Sequence, residues 1–537
     1  MTMNNGQHHQ ARLATAFGGV RLGRPTMAFR PHETLPTLLT SQGDSLGVSM
    51  HFALPNGNFA TGDQNVMSIK RIRNAHVLRF DESGRVELLE NHDIIVDGGW
   101  IRAIRPTGCG GAEGMGPPED DFDASNCVAI PGLVNVHQHL FQSLTRVHKP
   151  VQDAKLFTWL TTLYNIWAKY GYRELKLAAT IALGEMMLSG CTCSTDMHYL
   201  FPRGSDLRLD AVFDAAESLG IRMVAGRGCM TLGKSKGGLP PDEICETDDE
   251  ALRDFSRVLD TCHDPRPGAM RQISLQPCAP FNVTLDIMRE SLALARQHKA
   301  VVQTHLAETH DENDYCLEVY GCRPMALMER LGWLGDDVSF AHCVTLNADE
   351  VALMAATGTG VAHCPSANMR LGSGIAPISA MHRAGVTVGI GVDGSSSNDG
   401  MHMLAEGRLA ILAQRALHGP AALTAEDGLS LLTRGGARLL KRPELGNLAQ
   451  GFAADVALWR LDTVEMAGAA AQDPLGALML ANPGRAAHVM IHGQWTVRDH
   501  RIVSCDMQPV IAEANTLVRA HLREPIADLA RRYPPVL

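Results

Sequence analysis

Pro131-Gly-Leu-Val-Asn-Val-His137-Gln-His139 ends an apolar run on two histidines. Residues i and i+2 of a strand point to the same side. Both imidazoles therefore face one way and can grip one cation. The same ending recurs along the chain. Val301-Val-Gln-Thr closes on His305, Val338-Ser-Phe-Ala on His342, and Val386-Thr-Val-Gly-Ile-Gly-Val on Asp393. A polar group at the end of an apolar run is costly to bury without a partner. One alone reads as a satisfied core or capping residue. Several at corresponding positions point to a shared site.

Eight apolar runs read as buried strands: 128–136, 191–195, 221–226, 272–277, 301–306, 338–341, 360–364 and 386–392. Helical stretches such as 174–189 and 285–298 lie between them. This alternation predicts an α/β protein, either a (β/α)8 TIM-like barrel or an open doubly wound sheet. The barrel is favoured by where the polar residues fall. His137, His139, Asp196, Arg227, His305, His342, His363 and Asp393 sit at or just past C-terminal strand ends, the active face of such a barrel.

Strand-like segments flank this core at 69–80, 93–96 and 100–104, and again at 454–460, 488–492 and 494–497. They predict a small composite β-sandwich domain from 67–128 and 443–505, around a barrel spanning 129–442, with a helical segment at 506–537. Residues 1–66 are rich in Gly, Asn, Thr, Pro and His without a sustained period, which predicts a poorly ordered extension. Arg12, Arg21, Arg24 and Arg30 precede its first acid, Glu33, as in a transit peptide. The simpler reading is an added segment, or a start assigned ahead of Met67.

The net charge of −10 argues against a nucleic-acid or anionic-membrane partner. There is no apolar run of about 18 residues and no secretory signal pattern. The 13 cysteines, an odd number scattered through apolar segments, read as reduced thiols of a cytoplasmic protein.

His137, His139, His305 and Asp393 offer three neutral imidazoles and a carboxylate. That set suits one catalytic Zn2+, with Fe2+ as the alternative. Zinc lowers the pKa of a bound water from about 15.7 to roughly 7. Asp393 can hold the metal and take the water's proton. Glu308, three residues past His305, reaches the site without being a ligand and suits a proton shuttle. His342 can orient the nucleophile and stabilise the developing oxyanion. Together these serve addition–elimination at an amidine-like carbon, the chemistry of deamination.

The stretches PGLVNVHQHLFQSLTR, THLAE, AHC and GVDGSSSND resemble the amidohydrolase superfamily, in its deaminase branch, from about residue 68 to 505. HYLFPRG, GGLPPDEI, DENDYC and CPSANMRLGSGIAP are most similar to the 8-oxoguanine deaminases. The resemblance implies hydrolysis of 8-oxoguanine to urate and ammonia. Guanine, isoxanthopterin and a hydroxylated aminotriazine are the alternative substrates. It also implies that His137, His139, His305 and Asp393 are ligands, that Glu308 is the shuttle and that His342 is catalytic. By the same likeness Gln142 and Arg227 hold the purine edge, and a homo-oligomer is expected. Tyr199, Cys278 and Asn368 are further candidates for the pocket lining.

Departures from the family pattern fall at Gln138, at Met197-His198 and at Ser366-Ala367, and none removes a ligand. Binuclear relatives carry a bridging lysine on strand four. Here that strand reads Gln272-Ile-Ser-Leu-Gln-Pro-Cys278, which implies one metal per subunit. A non-catalytic scaffold would have lost ligands or the shuttle, and all six positions are present. Three other patterns are set aside. Gly43-Asp-Ser45-Leu-Gly47 mimics a nucleophile elbow without the strand and helix it needs. Gly389-Ile-Gly391-Val-Asp393-Gly394 mimics a dinucleotide loop, but Asp393 would repel phosphates. Cys191, Cys193 and His198 read as core packing rather than a second metal site.

Overall fold

The apolar run leading to His137 is cut in two at Gly132. In the computed structural model, which describes residues 69–109, 118–481 and 484–521, Cys127–Pro131 and Leu133–Asn135 belong to different sheets. A Cβ at position 132 would lie 2.2 Å from Thr192 Oγ1, so the crossing needs glycine. The expectations for residues 1–66, including the serine motif, and for 522–537 lie outside the described residues.

In chain order the strands are β1 (Ile69–Phe80), β2 (Val86–Asp97), β3 (Trp100–Pro106), β4 (Asp120–Asp123), β5 (Cys127–Pro131), β6 (Leu133–Asn135), β7 (Cys191–His198), β8 (Arg222–Cys229) and β9 (Arg271–Pro277). They continue with β10 (Val302–Leu306), β11 (Val338–His342), β12 (Gly360–His363), β13 (Val388–Ile390), β14 (Val456–Arg460), β15 (His488–Ile491), β16 (Gln494–Arg498) and β17 (Arg501–Ile502).

Strands β6 to β13 form one parallel sheet in sequential order. It closes on itself, because Val136 N donates to Ile390 O at 3.1 Å and Asp393 N to His137 O at 3.0 Å. This is the (β/α)8 barrel. Small and branched side chains such as Val134, Val136, Cys193, Val224, Ala341 and Ala362 fill its interior. Alternate residues such as Met223 and Ala225 join the outer core under the helices. Cys191 and Cys193 pack into different apolar clusters, with an irregularity of the β6–β7 pairing at Thr192 between them. Two of the helices begin on strong caps. Thr247 and Glu250 form a reciprocal capping box, as do Asn347 and Glu350.

The two flanks meet in a second sheet, ordered β17-β16-β15-β14-β5-β1-β2-β3, with β4 paired to β1. The join is the antiparallel pairing of β5 with β14, from Val456↔Pro131 to Arg460↔Cys127. The expected sandwich is thus one sheet curled on itself. Asp120 of β4 accepts from Trp495 and Arg498 of β16, both at 2.8 Å, and the halves enclose Ile72, Val77, Ile94, Val456 and Met490. Because β5 runs to Pro131, the two units divide at Gly132 rather than after Val128. No helix among the described residues is long and apolar enough to cross a membrane.

Candidate active site

The C-terminal strand ends bring the polar residues together. His137 and His139 follow β6, His305 lies in β10, His342 ends β11 and Asp393 follows β13. His342 and Asp393 have φ of +73° and +60°, and Ala307 has +52°. Left-handed backbone at residues with a Cβ costs energy and gathers at functional sites. Here it aims side chains from strand termini over the mouth of the barrel.

Each imidazole is fixed by its outer nitrogen. His139 Nδ1 donates to Met197 O at 2.8 Å and His305 Nδ1 to Cys278 O at 2.6 Å. A carbonyl only accepts, so both rings carry the proton on Nδ1 and present a lone pair on Nε2. His137 Nδ1 meets Gln303 Oε1 at 2.7 Å. The Gln303 amide nitrogen donates to Val136 O and Ser339 Oγ, both at 3.0 Å, so its oxygen must be the end that faces His137. Burial, with neighbouring His137, pushes His139 down to about 3 and His305 well below the ordinary histidine value. Burial raises Asp393, but the His137 hydrogen bond and the surrounding imidazoles outweigh it and hold the carboxylate well below its usual range.

Neutral imidazoles around an ionised carboxylate make a donor set for a divalent cation. His139 Nε2 and His305 Nε2 are 3.1 Å apart, and Asp393 Oδ1 is 3.3 Å from His139 Nε2 and 3.5 Å from His137 Nε2. Ligands at 2.0–2.1 Å in a tetrahedral array lie about 3.3 Å from one another. His137 Nε2 is buried without a hydrogen-bond partner. A polar atom left open among converging donors fits a metal ligand. His342 Nε2 completes a second triad with His137 and Asp393.

Glu308 stands beside this set with Oε2 3.7 Å from His342 Nε2. Burial, reinforced by Asp393, pushes its carboxyl up to about 8. It therefore holds a proton near neutral pH and can give it away. Glu312 positions it. The two Glu312 oxygens accept the N–H groups of Ala307 and Glu308, both at 2.9 Å.

A cleft opens over these groups, and Gln142, Tyr199 and Cys278 line it, as the sequence suggests. Two other expected pocket residues are not brought there. Asn368 Oδ1 accepts from His342 Nδ1 at 2.9 Å, so Asn368 orients a histidine from behind. Arg227 points out of the barrel. It shares the outer face of β8 with Met223 and Ala225, while Val224 faces inward. Its guanidinium bonds Asp254 at 2.6 Å and Glu246 at 2.7 and 3.0 Å, and lies 3.4 Å over the Phe201 ring. Expecting it on the purine put a period-2 strand in the wrong phase.

Comparison with known proteins decides the kinship. The model of the amidohydrolase family matches residues 128–496. The chain belongs to the amidohydrolase family. The 8-oxoguanine deaminase of Pseudomonas aeruginosa is 44% identical over 396 residues, covering 74% of this chain and 88% of the relative. An isoxanthopterin deaminase from an unknown prokaryotic organism is 38% identical over 454 residues, covering 80% and 92%. The crystal structure of an atrazine chlorohydrolase from Arthrobacter aurescens TC1 complexed with zinc superposes with a TM-score of 0.79 at 34% identity, covering 83% of this chain and 99% of that one. This amidohydrolase is of the deaminase branch, a hydrolase of C–N bonds other than peptide bonds, with a small heterocycle as substrate.

Two residues of this amidohydrolase site escaped the sequence reading. Gln303 precedes His305 by two, on the same strand face, and strand alternation alone would have found it. Glu312 lies where a helix cap is expected, after Thr309, and that local role hid its reach back to Glu308.

Proposed function

We propose that the protein hydrolyses 8-oxoguanine to urate and ammonia, using one zinc ion per subunit. The observation that carries the reaction type is the buried Glu308 carboxyl, 3.7 Å from His342 and beside the His/Asp donor set. The 44% identity to an 8-oxoguanine deaminase supports the substrate. Zinc is supported by the three-histidine, one-aspartate set and by the zinc of the Arthrobacter structure. A single ion is supported by β9, which carries no lysine.

His137, His139, His305 and Asp393 would hold the metal. When bound, it supplies Lewis acidity that makes water nucleophilic at neutral pH. Asp393, ionised, takes a proton from the attacking water. His342 Nδ1–H donates a hydrogen bond to Asn368 Oδ1, so Nε2 is an acceptor that orients the water's other O–H. Glu308 donates its proton to the ring nitrogen next to C2 as water adds. Now ionised, Glu308 takes the O–H proton of the adduct and passes it to the leaving amino group, which departs as ammonia as the carbonyl forms, and the proton held by Asp393 then restores Glu308. Gln142 and Tyr199 line the cleft where the purine edge would lie. Thirteen free thiols, most of them buried, suit a reducing, cytoplasmic setting.

The second reading is isoxanthopterin, favoured by the relative of that activity that spans 80% of the chain. Ammonia release over purines, pterins and hydroxylated aminotriazines separates them. The expected result is a kcat/KM for 8-oxoguanine well above that for guanine and isoxanthopterin, with urate absorbance appearing. A higher kcat/KM for either rival overturns the substrate.

A further inference from the structure

The cleft has polar groups that the reaction above leaves unused. Leu156, Trp159, Leu160 and Tyr164 put one face of the helix Leu156–Trp167 on it. Asn282 joins them from the segment after β9, fixed there because its carbonyl accepts the N–H groups of Thr231 and Leu232. Trp159, Tyr164 and Asn282 are 2%, 0% and 1% exposed. Even so, Trp159 Nε1, Tyr164 Oη and Asn282 Oδ1 have no hydrogen-bond partner.

Other tryptophans behave differently. Trp167 donates to Thr145 Oγ1, Trp333 to Met288 O, Trp459 to Gly484 O and Trp495 to Asp120. Trp159 packs edge-on against Trp167, with ring centroids 5.4 Å apart, and keeps its donor open. Burial pushes the Tyr164 phenol well up while the nearby Asn282 amide opposes this, yet the two make no hydrogen bond of normal geometry. Asn282 Nδ2 is committed to Cys278 Sγ at 3.4 Å, so Oδ1 is the end left open. A buried polar group left unpaired is costly, and three on one cleft ask for a partner from outside the chain.

We propose that Trp159, Tyr164 and Asn282 form a polar wall that reads a cyclic amide, –NH–C(=O)–, at the edge of the heterocycle remote from the amino carbon. This rests on the deaminase reading above and names the substrate feature it selects. The indole N–H is only a donor and meets a carbonyl oxygen. Asn282 Oδ1 is an acceptor and meets the ring N–H beside that oxygen. The Tyr164 hydroxyl can do either. In 8-oxoguanine the amide is the C8 carbonyl with its flanking N–H groups, at the far end from C2. Guanine offers C–H at C8 and would leave the indole unpaired. A site built to bond a polar group discriminates against a ligand that lacks it.

The test is kcat/KM by ammonia release for two substrate pairs, 8-oxoguanine with guanine and isoxanthopterin with pterin. Each pair differs by the cyclic amide carbonyl. Trp159→Phe is expected to lower both within-pair ratios about tenfold or more. Tyr164→Phe, which removes only a hydroxyl, is expected to lower them too and serves if the tryptophan variant does not fold. A purely structural role would depress all four rates and leave the ratios alone. Unchanged ratios in a folded variant overturn the wall. If the wild-type enzyme favours isoxanthopterin, the 8-oxoguanine assignment falls, and a lowered isoxanthopterin-to-pterin ratio in Trp159→Phe still upholds the wall.

Discussion

Two polar clusters sit at neighbouring strand ends, and they are built on different principles. The buried charge of Arg227 is answered from within. Glu246 and Asp254 take the guanidinium, and Asp254 and Asp210 take Arg257. On the cleft, Trp159 Nε1, Tyr164 Oη and Asn282 Oδ1 are buried and open, as is His137 Nε2 in the donor set. Buried polar groups in a purely structural cluster satisfy one another. Groups that are buried, convergent and unanswered mark where a ligand completes the structure. By this criterion, and not by residue type, Arg227 supports the fold and the cleft does the chemistry.

The sharpest way to break the comparison is to remove the arginine. Arg227→Met leaves the half-buried Glu246 without its partner and takes from Asp254 one of its two arginines, and a loss of about 1–3 kcal/mol is expected in denaturant unfolding. The folded fraction should keep kcat/KM near wild type. A stable variant with lost substrate affinity would return Arg227 to the pocket. Next in size is Gln303→Leu. The His137 ring loses the acceptor that fixes its tautomer, and chelator competition should show metal affinity down by about 10–100-fold. Unchanged affinity would mean that the ring needs no such support. The smallest effect is expected from Glu312→Gln. One of the two N–H groups that it holds loses its acceptor, Glu308 drifts, and kcat should fall about tenfold with KM and metal content little changed. A change in KM alone would place Glu312 in binding rather than in positioning.

The barrel was legible because most of its strands are short apolar runs that end on a polar residue, and seven of the eight runs coincide with β7–β13 while the first spans β5 and β6. The donor set was legible for the same reason, since burial of His137, His139, His305 and Asp393 makes sense only together. What escaped turns on contacts between distant segments. Gly132 divides an unbroken apolar run because Thr192 crowds it, which no local pattern reveals. β4 reads Asp-Asp-Phe-Asp and pairs only because β1 offers an edge. Arg227 and Asn368 were placed near the right strands, but a side chain's direction depends on strand phase and on partners, Glu246 and His342, that lie elsewhere in the sequence. Nothing in the sequence separates Trp159 and Tyr164 from the apolar residues around them on the helix Leu156–Trp167. Only their unanswered polar atoms set them apart.

The central claim is that Glu308 moves the proton while the metal is held by other residues. Its most direct test is metal content and turnover of Glu308→Gln, measured on the same preparation. Retention of stoichiometric metal is predicted, with ammonia release from 8-oxoguanine reduced by about 10²–10⁴-fold. Substantial turnover with the metal still bound would contradict the account.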